Sequence, residues 1–267
     1  ISRRNRNNNN LNGRRRKSPK ITQRFKSLHG LTIEDADDDI QELLALDDVE
    51  YIEQDALYHI TATQSNPPSW GLPRIAQRDR LGATRPAFVY PDQAGAGITA
   101  YVIDTGINVN HVDFGGRARW GANFIRGSPN SDEDGHGTHV AGTVGGTSYG
   151  VAKKANLVAI KVLDRNGNGA TSGIIAGMDW ALRDARDKRA VVNMSLGGSS
   201  SRALNDAVDR LYNADIPVFA AAGNDPSVDA CGGSPSGASN AFTVAASNSA
   251  DGIAPYSYGT CIDLIAP

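Results

Sequence analysis

The stretch "ITAYVIDTGIN", residues 98–108, decides the fold class of this chain. Its first seven residues form an almost wholly apolar run that ends in a glycine-containing turn, a pattern typical of a strand buried on both faces. Asp104 closes the run and places a carboxylate at the carboxyl end of that strand. In open parallel sheets this end faces the crevice in which ligands bind. The stretch therefore predicts a buried strand that delivers an acidic side chain to a site.

Apolar runs and helix-like segments alternate through the rest of the sequence. The predicted strands are "NLVAIKVLD", "AVVNMSLGG", "IPVFAAAGN", "AFTVAAS" and "CIDLIAP", and the predicted helices are "HGTHVAGTVGG", "TSGIIAGMDWALRDAR" and "SRALNDAVDRLYNA". We expect Thr171 or Ser172 to cap the second helix. This alternation predicts an α/β fold whose mostly parallel sheet carries helices on both faces.

The amino-terminal part of the chain has a different composition. Residues 1–20 contain eight Arg or Lys and no acid, whereas residues 33–55 contain eleven acids and no base. A basic tract can bind nucleic acid, but an Asn-rich segment with no nucleic-acid-binding module nearby predicts a disordered tail. We therefore expect no nucleic-acid partner. No apolar run reaches 18 residues, so no membrane span or membrane partner is predicted.

Three domains are predicted from these patterns. Residues 1–20 form the disordered segment, and residues 21–61 form a small α+β unit. Within that unit a helical spacing of apolar residues is followed by "VEYIEQDALYHI", residues 49–60, which alternates as a strand does. Residues 62–267 begin with a turn-rich linker and contain the α/β domain.

Polar side chains are predicted to meet at one edge of the sheet. Asp104 ends the first strand, His136 begins a helix, and Asn224 follows a later strand. A metal site at His136 and His139 lacks further ligands, and an aspartic protease would need a second Asp-Thr-Gly or a symmetric dimer. The remaining interpretation is acid–base catalysis, in which the aspartate orients an imidazole and the asparagine donates to a developing oxyanion.

These motifs together resemble those of the subtilisin-like serine proteases, most closely the proteinase K and aqualysin branch. The resemblance is carried by "YVIDTGIN", "DGHGTHVAGTVGG", "VLDRNGNGATSGIIAGMDW", "NMSLGG" and "AAAGND" and covers residues 62–267. It implies a serine endopeptidase in which Asp104 is the acid of the triad, His136 the general base and Asn224 an oxyanion donor. His139 is then structural.

The resemblance also implies how a substrate is bound. Two segments would pair with an extended peptide, Gly167-Asn168-Gly169 and Ser195-Leu196-Gly197, and Ala221, Ala222 and Gly223 would wall the pocket before the cut. Residues 21–61 resemble the later part of a propeptide, which would make this segment an inhibitor of its own enzyme. Protein and peptide substrates, a monomeric state and secretion follow from the same resemblance.

A disulfide and a cation site are implied in the same way. Relatives pair cysteines in the contexts of Cys231 and Cys261, and Asp263 could retain a structural calcium held mainly by backbone carbonyls. No cofactor is expected for catalysis.

The nucleophile of the family lies in a Gly-Thr-Ser-Met-Ala motif, and no Gly-Thr-Ser-Met occurs in these 267 residues. We therefore expect a fragment truncated before the serine, which is inactive as it stands. The alternative is a non-catalytic peptide-binding pseudoprotease that keeps the cleft.

Overall fold

The computed structural model describes residues 18–54, 61–82, 86–256 and 258–267. The chain divides into two units, residues 1–58 and residues 59–267. None of the helices in these ranges is long and apolar enough to cross a bilayer.

The first unit is a β-hairpin followed by short helical turns. Its elements are β1 (Lys20–Phe25), a 3₁₀ helix (Lys26–Leu28), β2 (Gly30–Glu34), a second 3₁₀ helix (Asp37–Asp39) and α1 (Ile40–Leu44). The two strands are antiparallel. Their apolar side chains are largely exposed, among them Ile21, Phe25 and Leu31. The described residues of this unit therefore bury little apolar surface among themselves.

Two sequence predictions fail in detail. Residues 49–54 form no strand, and residues 55–60 lie outside the described residues, so the alternation in "VEYIEQDALYHI" is not matched by a partner strand in the described part. The cap expected at Thr171 or Ser172 is also wrong. The helix begins at Thr171 with Ala170 as its N-cap residue, and no side chain caps it from that position.

The second unit contains the α/β domain. Before the sheet it forms β3 (Thr61–Gln64), α2 (Gly71–Ile75) and β4 (Phe88–Pro91). The central elements are β5 (Ile98–Asp104), a 3₁₀ helix (Val112–Phe114), β6 (Ala118–Asn123), α3 (His136–Gly145), β7 (Asn156–Lys161), α4 (Thr171–Asp184) and β8 (Arg189–Met194). The later elements are β9 (Gly198–Ser199), α5 (Arg202–Tyr212), β10 (Val218–Ala221), a 3₁₀ helix (Ala230–Gly232), β11 (Gly233–Ser234), β12 (Ala241–Ala246) and β13 (Leu264–Ala266).

Seven strands form one parallel sheet in the order β13-β12-β10-β8-β5-β7-β6. Strand β5 is central and pairs with β7 on one side and β8 on the other. Two small antiparallel pairs, β3 with β4 and β9 with β11, lie outside this sheet. The predicted α/β fold with a parallel sheet is confirmed.

Side chains of β5 alternate between two cores because successive residues of a strand point to opposite faces. Tyr101 and Ile103 pack in the cluster that contains residues of α4 and α5, such as Met178. Ala100 and Val102 pack in the other cluster, which includes Ala141 of α3. Helices therefore cover both faces, and the polar end of β5 emerges beside α3.

Candidate active site

Asp104 and His136 form a hydrogen-bonded pair at the carboxyl edge of the sheet. The Nδ1 atom of His136 lies 2.8 Å from Oδ1 of Asp104. The Asp104 side chain is fully buried, whereas 48% of the His136 side chain is exposed. The pair therefore joins a buried carboxylate to an imidazole that solvent or a ligand can reach.

Burial dominates the electrostatics of Asp104. It raises the pKa of the carboxyl group above its usual value, against the hydrogen bond to His136 and the Thr105 N–H group, which lower it. Oδ1 receives both of these hydrogen bonds, since Thr105 N lies 2.7 Å away. Oδ2 is buried and has no partner among the described residues. Among the described residues, only one of the two oxygens of the Asp104 carboxylate therefore accepts hydrogen bonds.

The first turn of α3 fixes His136. A helix leaves its first four N–H groups without partners inside the helix. Here the N–H of His136 donates to Asp134 at 3.0 Å, that of Gly137 to the Thr105 hydroxyl at 2.9 Å, and that of Thr138 to Asp132 at 2.9 Å. The fourth of these groups, the N–H of the N-cap residue Gly135, donates to Asp132 Oδ1 at 2.9 Å. All four groups are satisfied within about one turn of the imidazole.

Asp132 lies at the centre of this arrangement and was not singled out by the sequence. Its Oδ1 accepts from the Thr105 hydroxyl at 2.8 Å and from Gly135 N–H at 2.9 Å. Its Oδ2 accepts from the backbone N–H and the hydroxyl of Thr138. Burial tends to raise the pKa of Asp132, but the hydrogen bonds from Thr138, Gly135 and Thr105 outweigh it and hold the pKa below its usual value. An acid four residues before the first helical histidine was the only sequence signal for it.

A buried lysine contacts the backbone directly after β5. Lys161, the last residue of β7, donates to the carbonyl oxygens of Thr105 at 2.6 Å and Leu163 at 2.9 Å. Its Nζ also lies 3.9 Å from a carboxylate oxygen of Glu133. The ammonium group is fully buried, so its charge is compensated by these oxygens rather than by water.

The close approach of α3 to the end of β5 requires a glycine. A Cβ atom on Gly137 would lie 2.1 Å from the carbonyl oxygen of Gly106 and 3.1 Å from Oδ1 of Asp104. Real Cβ atoms do not come so close to a backbone oxygen, so only glycine allows the helix to start here. The "GHG" sequence is thus part of what places the imidazole against the carboxylate.

Asn224 lies at the same edge of the sheet, but among the described residues no hydrogen bond joins its side chain to the pair. It is exposed and follows β10, which β8 separates from β5. Neighbouring strands are about 4.8 Å apart, so the ends of β10 and β5 are separated by about 10 Å. Ala222, in the same segment, is buried and its N–H donates to the carbonyl of Val244 at 2.9 Å. Gly223 beside it has a φ of 94°, which glycine adopts readily.

The two predicted substrate-binding segments also follow strands of the sheet. The Gly167-Asn168-Gly169 segment lies in an exposed turn after β7, in which Asp164 Oδ1 accepts from the N–H of Asn168 at 3.0 Å. The Ser195-Leu196-Gly197 segment follows β8 directly. Parallel strands therefore bring both segments to the edge that holds Asp104.

The cysteines and the predicted cation ligand lie near the last strands. Cys231 and Cys261 are joined by a disulfide with a Cα–Cα distance of 5.5 Å. Asp263 is exposed, and its Oδ2 accepts from Thr243 N–H at 2.8 Å. Over the ranges that the structure describes, no three His, Cys, Asp or Glu side chains are grouped closely enough to hold a metal ion. His139 belongs to no such group.

The fold and this pair define a class of protein. The sheet is parallel, and its central strand ends in a buried aspartate that is hydrogen-bonded to a histidine at the start of a helix. Hydrolases that use an Asp-His pair have this arrangement of acid and base. The comparisons with known proteins agree with this class.

The model of the subtilase family matches residues 95–267. A subtilisin-like protease of Coccidioides posadasii is 52% identical over 238 residues, which are 85% of this chain and 58% of that protein. Proteinase T of Parengyodontium album is 51% identical over 223 residues, 82% of this chain and 74% of that protein. The crystal structure of a cold-adapted subtilisin-like serine proteinase matches with a TM-score of 0.70 and 44% identity, covering 76% of this chain and 73% of that one.

The chain belongs to the subtilase family, which confirms the resemblance drawn from its motifs. It spans 58% of the length of the first curated relatives that it matches.

Proposed function

We propose that this chain belongs to a serine endopeptidase and supplies its acid, Asp104, and its general base, His136. The observation that carries the proposal is the 2.8 Å hydrogen bond between His136 Nδ1 and Asp104 Oδ1. An N–H donated from Nδ1 to the carboxylate leaves Nε2 as the basic nitrogen, and the aspartate stabilises the imidazolium that forms when Nε2 takes a proton.

In this proposal Nε2 removes the proton of a serine hydroxyl as the hydroxyl oxygen attacks the peptide carbonyl. The same nitrogen then returns the proton to the leaving amine. The exposed half of the His136 side chain suits this role, because the base must reach both groups. Asn224 is proposed to donate its side-chain N–H to the oxyanion.

The two segments after β7 and β8 are proposed to bind the substrate backbone. Both are exposed or half-buried and both follow parallel strands, so an extended peptide can lie between Gly167-Asn168-Gly169 and Ser195-Leu196-Gly197. Ala222 and Gly223 are proposed to wall the pocket for the side chain before the cut. Main-chain pairing accepts many sequences, which fits proteins as the substrate class.

We propose that the nucleophilic serine is not among these 267 residues, because no Gly-Thr-Ser-Met occurs in them. In the described part of the chain the His136 ring hydrogen-bonds to Asp104 and to no serine hydroxyl. Without a hydroxyl to deprotonate, no acyl-enzyme can form. The 267-residue chain should therefore not react with a serine-directed fluorophosphonate probe.

The same probe tests the function on the full-length protein isolated from its natural source. A serine endopeptidase should be labelled at one serine, and a His136→Ala variant should lose the labelling. A full-length protein that binds peptides but is not labelled would instead be the non-catalytic alternative. Labelling of the 267-residue chain that His136→Ala abolishes would show that a serine already present is the nucleophile.

We propose that residues 21–61 act as an inhibitory propeptide and that cleavage near Thr61–Ala62 releases the enzyme. The division of the chain after residue 58 supports this proposal. Strand β3 also supports it, because a cut between Thr61 and Ala62 removes only the first residue of this strand and leaves its other three residues paired with β4. Secretion and a monomeric state are proposed on the family resemblance. The disulfide supports secretion, because such bonds persist in oxidising compartments.

A structural calcium ion at Asp263 is also proposed. Calcium takes six to eight oxygen ligands, and Asp263 offers one carboxylate oxygen that accepts no hydrogen bond in the described part of the chain. Backbone carbonyls and water would have to supply the other ligands. If calcium binds here, millimolar Ca²⁺ should raise the Tm relative to EDTA, and Asp263→Asn should remove that difference. An equal rise in Tm in Asp263→Asn would place the ion elsewhere.

A further inference from the structure

We propose that Asp132 is a positioning residue that holds the Asp104–His136 pair together by linking the end of β5 to the start of α3. The proposal rests on the proposed function for its chemical meaning. The geometry that it concerns exists whether or not the chain hydrolyses peptides.

The link runs through the hydroxyl group of Thr105. This hydroxyl donates its proton to Asp132 Oδ1 at 2.8 Å and accepts the N–H of Gly137 at 2.9 Å. A hydroxyl has one proton and two lone pairs, so a carboxylate that takes the proton leaves a lone pair for the backbone donor. Asp132 therefore orients Thr105 toward the residue that follows His136.

Asp132 also holds the helix itself. Its Oδ2 accepts from the backbone N–H of Thr138 at 2.9 Å, and its Oδ1 accepts from Gly135 at 2.9 Å. These contacts are on both sides of His136 in the sequence. A single carboxylate thus contacts the residue after Asp104 and the residues that flank His136.

The β5 end of this link is rigid. The N–H of Thr105 donates to Asp104 Oδ1 at 2.7 Å, and the carbonyl of Thr105 accepts from the buried Lys161 at 2.6 Å. Because Thr105 cannot move freely, loss of the Asp132 contacts should displace the start of α3 rather than the end of β5. The Nδ1–Oδ1 hydrogen bond would lengthen as a result.

An amide cannot replace this carboxylate. Each oxygen of Asp132 faces a backbone N–H donor, Oδ1 that of Gly135 and Oδ2 that of Thr138. An Asn side chain has one acceptor oxygen and an NH₂ group, so either rotamer sets NH₂ against an N–H group. Asp132→Asn should therefore lose the contacts of one of the two oxygens and weaken the link, while it changes no atom of the pair.

The test is NMR of the 267-residue chain with ¹⁵N-labelled histidine. The Nδ1–H proton of His136 reports its hydrogen bond to Asp104 directly. We expect Asp132→Asn to increase the solvent-exchange rate of this proton about tenfold, and to move its resonance upfield, because a hydrogen bond to a charged group contributes about 1.5 kcal/mol or more. Thr105→Val should do the same, and Thr105→Ser, which keeps the hydroxyl, should not.

Two matched variants separate positioning from other effects. Asp134→Asn removes the same charge close to His136 and keeps an oxygen that can accept the His136 N–H, so it should leave the proton unchanged. Asp113→Asn removes another carboxylate that accepts backbone N–H groups, those of Ser148 and Tyr149 beyond the other end of α3. Asp113→Asn should lower the Tm as Asp132→Asn does, but it should leave the exchange rate and the chemical shift of the His136 Nδ1–H proton unchanged.

The double variant Asp132→Asn/Thr105→Val should show no more than the larger single effect, since both changes break one link. An Asp132→Asn protein that loses stability but keeps the wild-type His136 proton would overturn the proposal and make Asp132 a helix cap alone. An equal effect in Asp134→Asn would also overturn it, because the effect would then be that of charge. If Asp132→Asn fails to fold, the Thr105→Val variant decides. An Nδ1–H proton of His136 that exchanges at the wild-type rate in Thr105→Val would overturn the proposal.

Discussion

The pKa values of two aspartates in this site, Asp104 and Asp132, are shifted in opposite directions. Asp104 has a pKa raised by burial, and one of its oxygens has no partner among the described residues. Asp132 is also partly buried, but the hydrogen bonds from Thr138, Gly135 and Thr105 outweigh the effect of burial and lower its pKa. The first residue therefore costs stability when it ionises, whereas the second contributes stability when it ionises.

The first prediction follows from the sign of the Asp104 shift. Because its folded-state pKa is raised, the stability linked to Asp104 is complete below the unfolded pKa of about 4 and is lost as the pH rises through the folded value. The stability of Asp104→Asn relative to wild type should therefore rise between pH 3 and pH 7, because the amide does not ionise. Urea unfolding at a series of pH values measures this.

Asp132→Asn is the control, because the pKa of Asp132 is shifted in the direction opposite to that of Asp104. The lowered pKa of Asp132 gives stability that is present above pH 4 and is lost as the pH falls through the folded value. Its cost should thus be largest at pH 7 and should shrink in acid. If the stability of Asp104→Asn relative to wild type did not rise between pH 3 and pH 7, burial would not be the dominant influence on this carboxyl group.

At the residue scale, the sequence predicted what local patterns encode. Asp104 could be found because it ends an apolar run, and His136 because it starts a segment of small residues after a glycine. Thr105, Asp132 and Lys161 could not, since their importance lies in contacts across 27 to 56 residues of sequence. Such contacts depend on how the strands are ordered, which composition and periodicity do not specify.

At the scale of elements, the site depends on how closely one helix approaches one strand end. Helix α3 contains several glycines with different surroundings. A Cβ on Gly137 would collide with the carbonyl of Gly106, whereas a Cβ on Gly142 would meet nothing within 4 Å. Glycine-to-alanine substitutions at these two positions of α3 should therefore change the stability of the protein in opposite directions.

Gly137→Ala should destabilise the protein by about 2 kcal/mol, because α3 must move away from the end of β5. The exchange rate of the His136 Nδ1–H proton should rise at the same time. Gly142→Ala is the matched control and should stabilise the protein by about 0.5–1 kcal/mol through helix propensity. Thermal unfolding and the NMR signal check both, and a Gly137→Ala protein with wild-type stability would contradict the close approach.

At the scale of the whole second unit, the sheet and one covalent bond hold distant segments together. Strand β13 is at one edge of the sheet and pairs with β12 alone. The disulfide between Cys231 and Cys261 spans 30 residues and ties the segment before β12 to the segment before β13. It should therefore stabilise the edge of the sheet that the three-residue strand β13 forms.

Replacing both cysteines by serine should lower the free energy of unfolding by about 3.5 kcal/mol, the loop-entropy value for this separation. Wild-type protein unfolded in the presence of dithiothreitol should match the double variant. Equal stability of the oxidised wild type and the double variant would show that the bond constrains nothing in the unfolded chain.

The fold class was predictable because the strands of the sheet are long apolar runs, as β5 and β7 show. The alternation over residues 49–54 gave a wrong prediction, since a strand forms only where a partner supplies its hydrogen bonds. The strand order was beyond reach of the sequence patterns, because adjacent runs along the chain need not be neighbours in the sheet.

That order has a consequence for synthesis on the ribosome. Strands β10, β12 and β13 each join the sheet beside a strand that has already been made, but β5 must wait for β8, which begins about 85 residues later. At typical translation rates this wait lasts on the order of ten seconds. During that interval one edge of the central, mostly apolar strand β5 is unpaired, so the nascent chain is an expected client for chaperones that shield apolar β-segments.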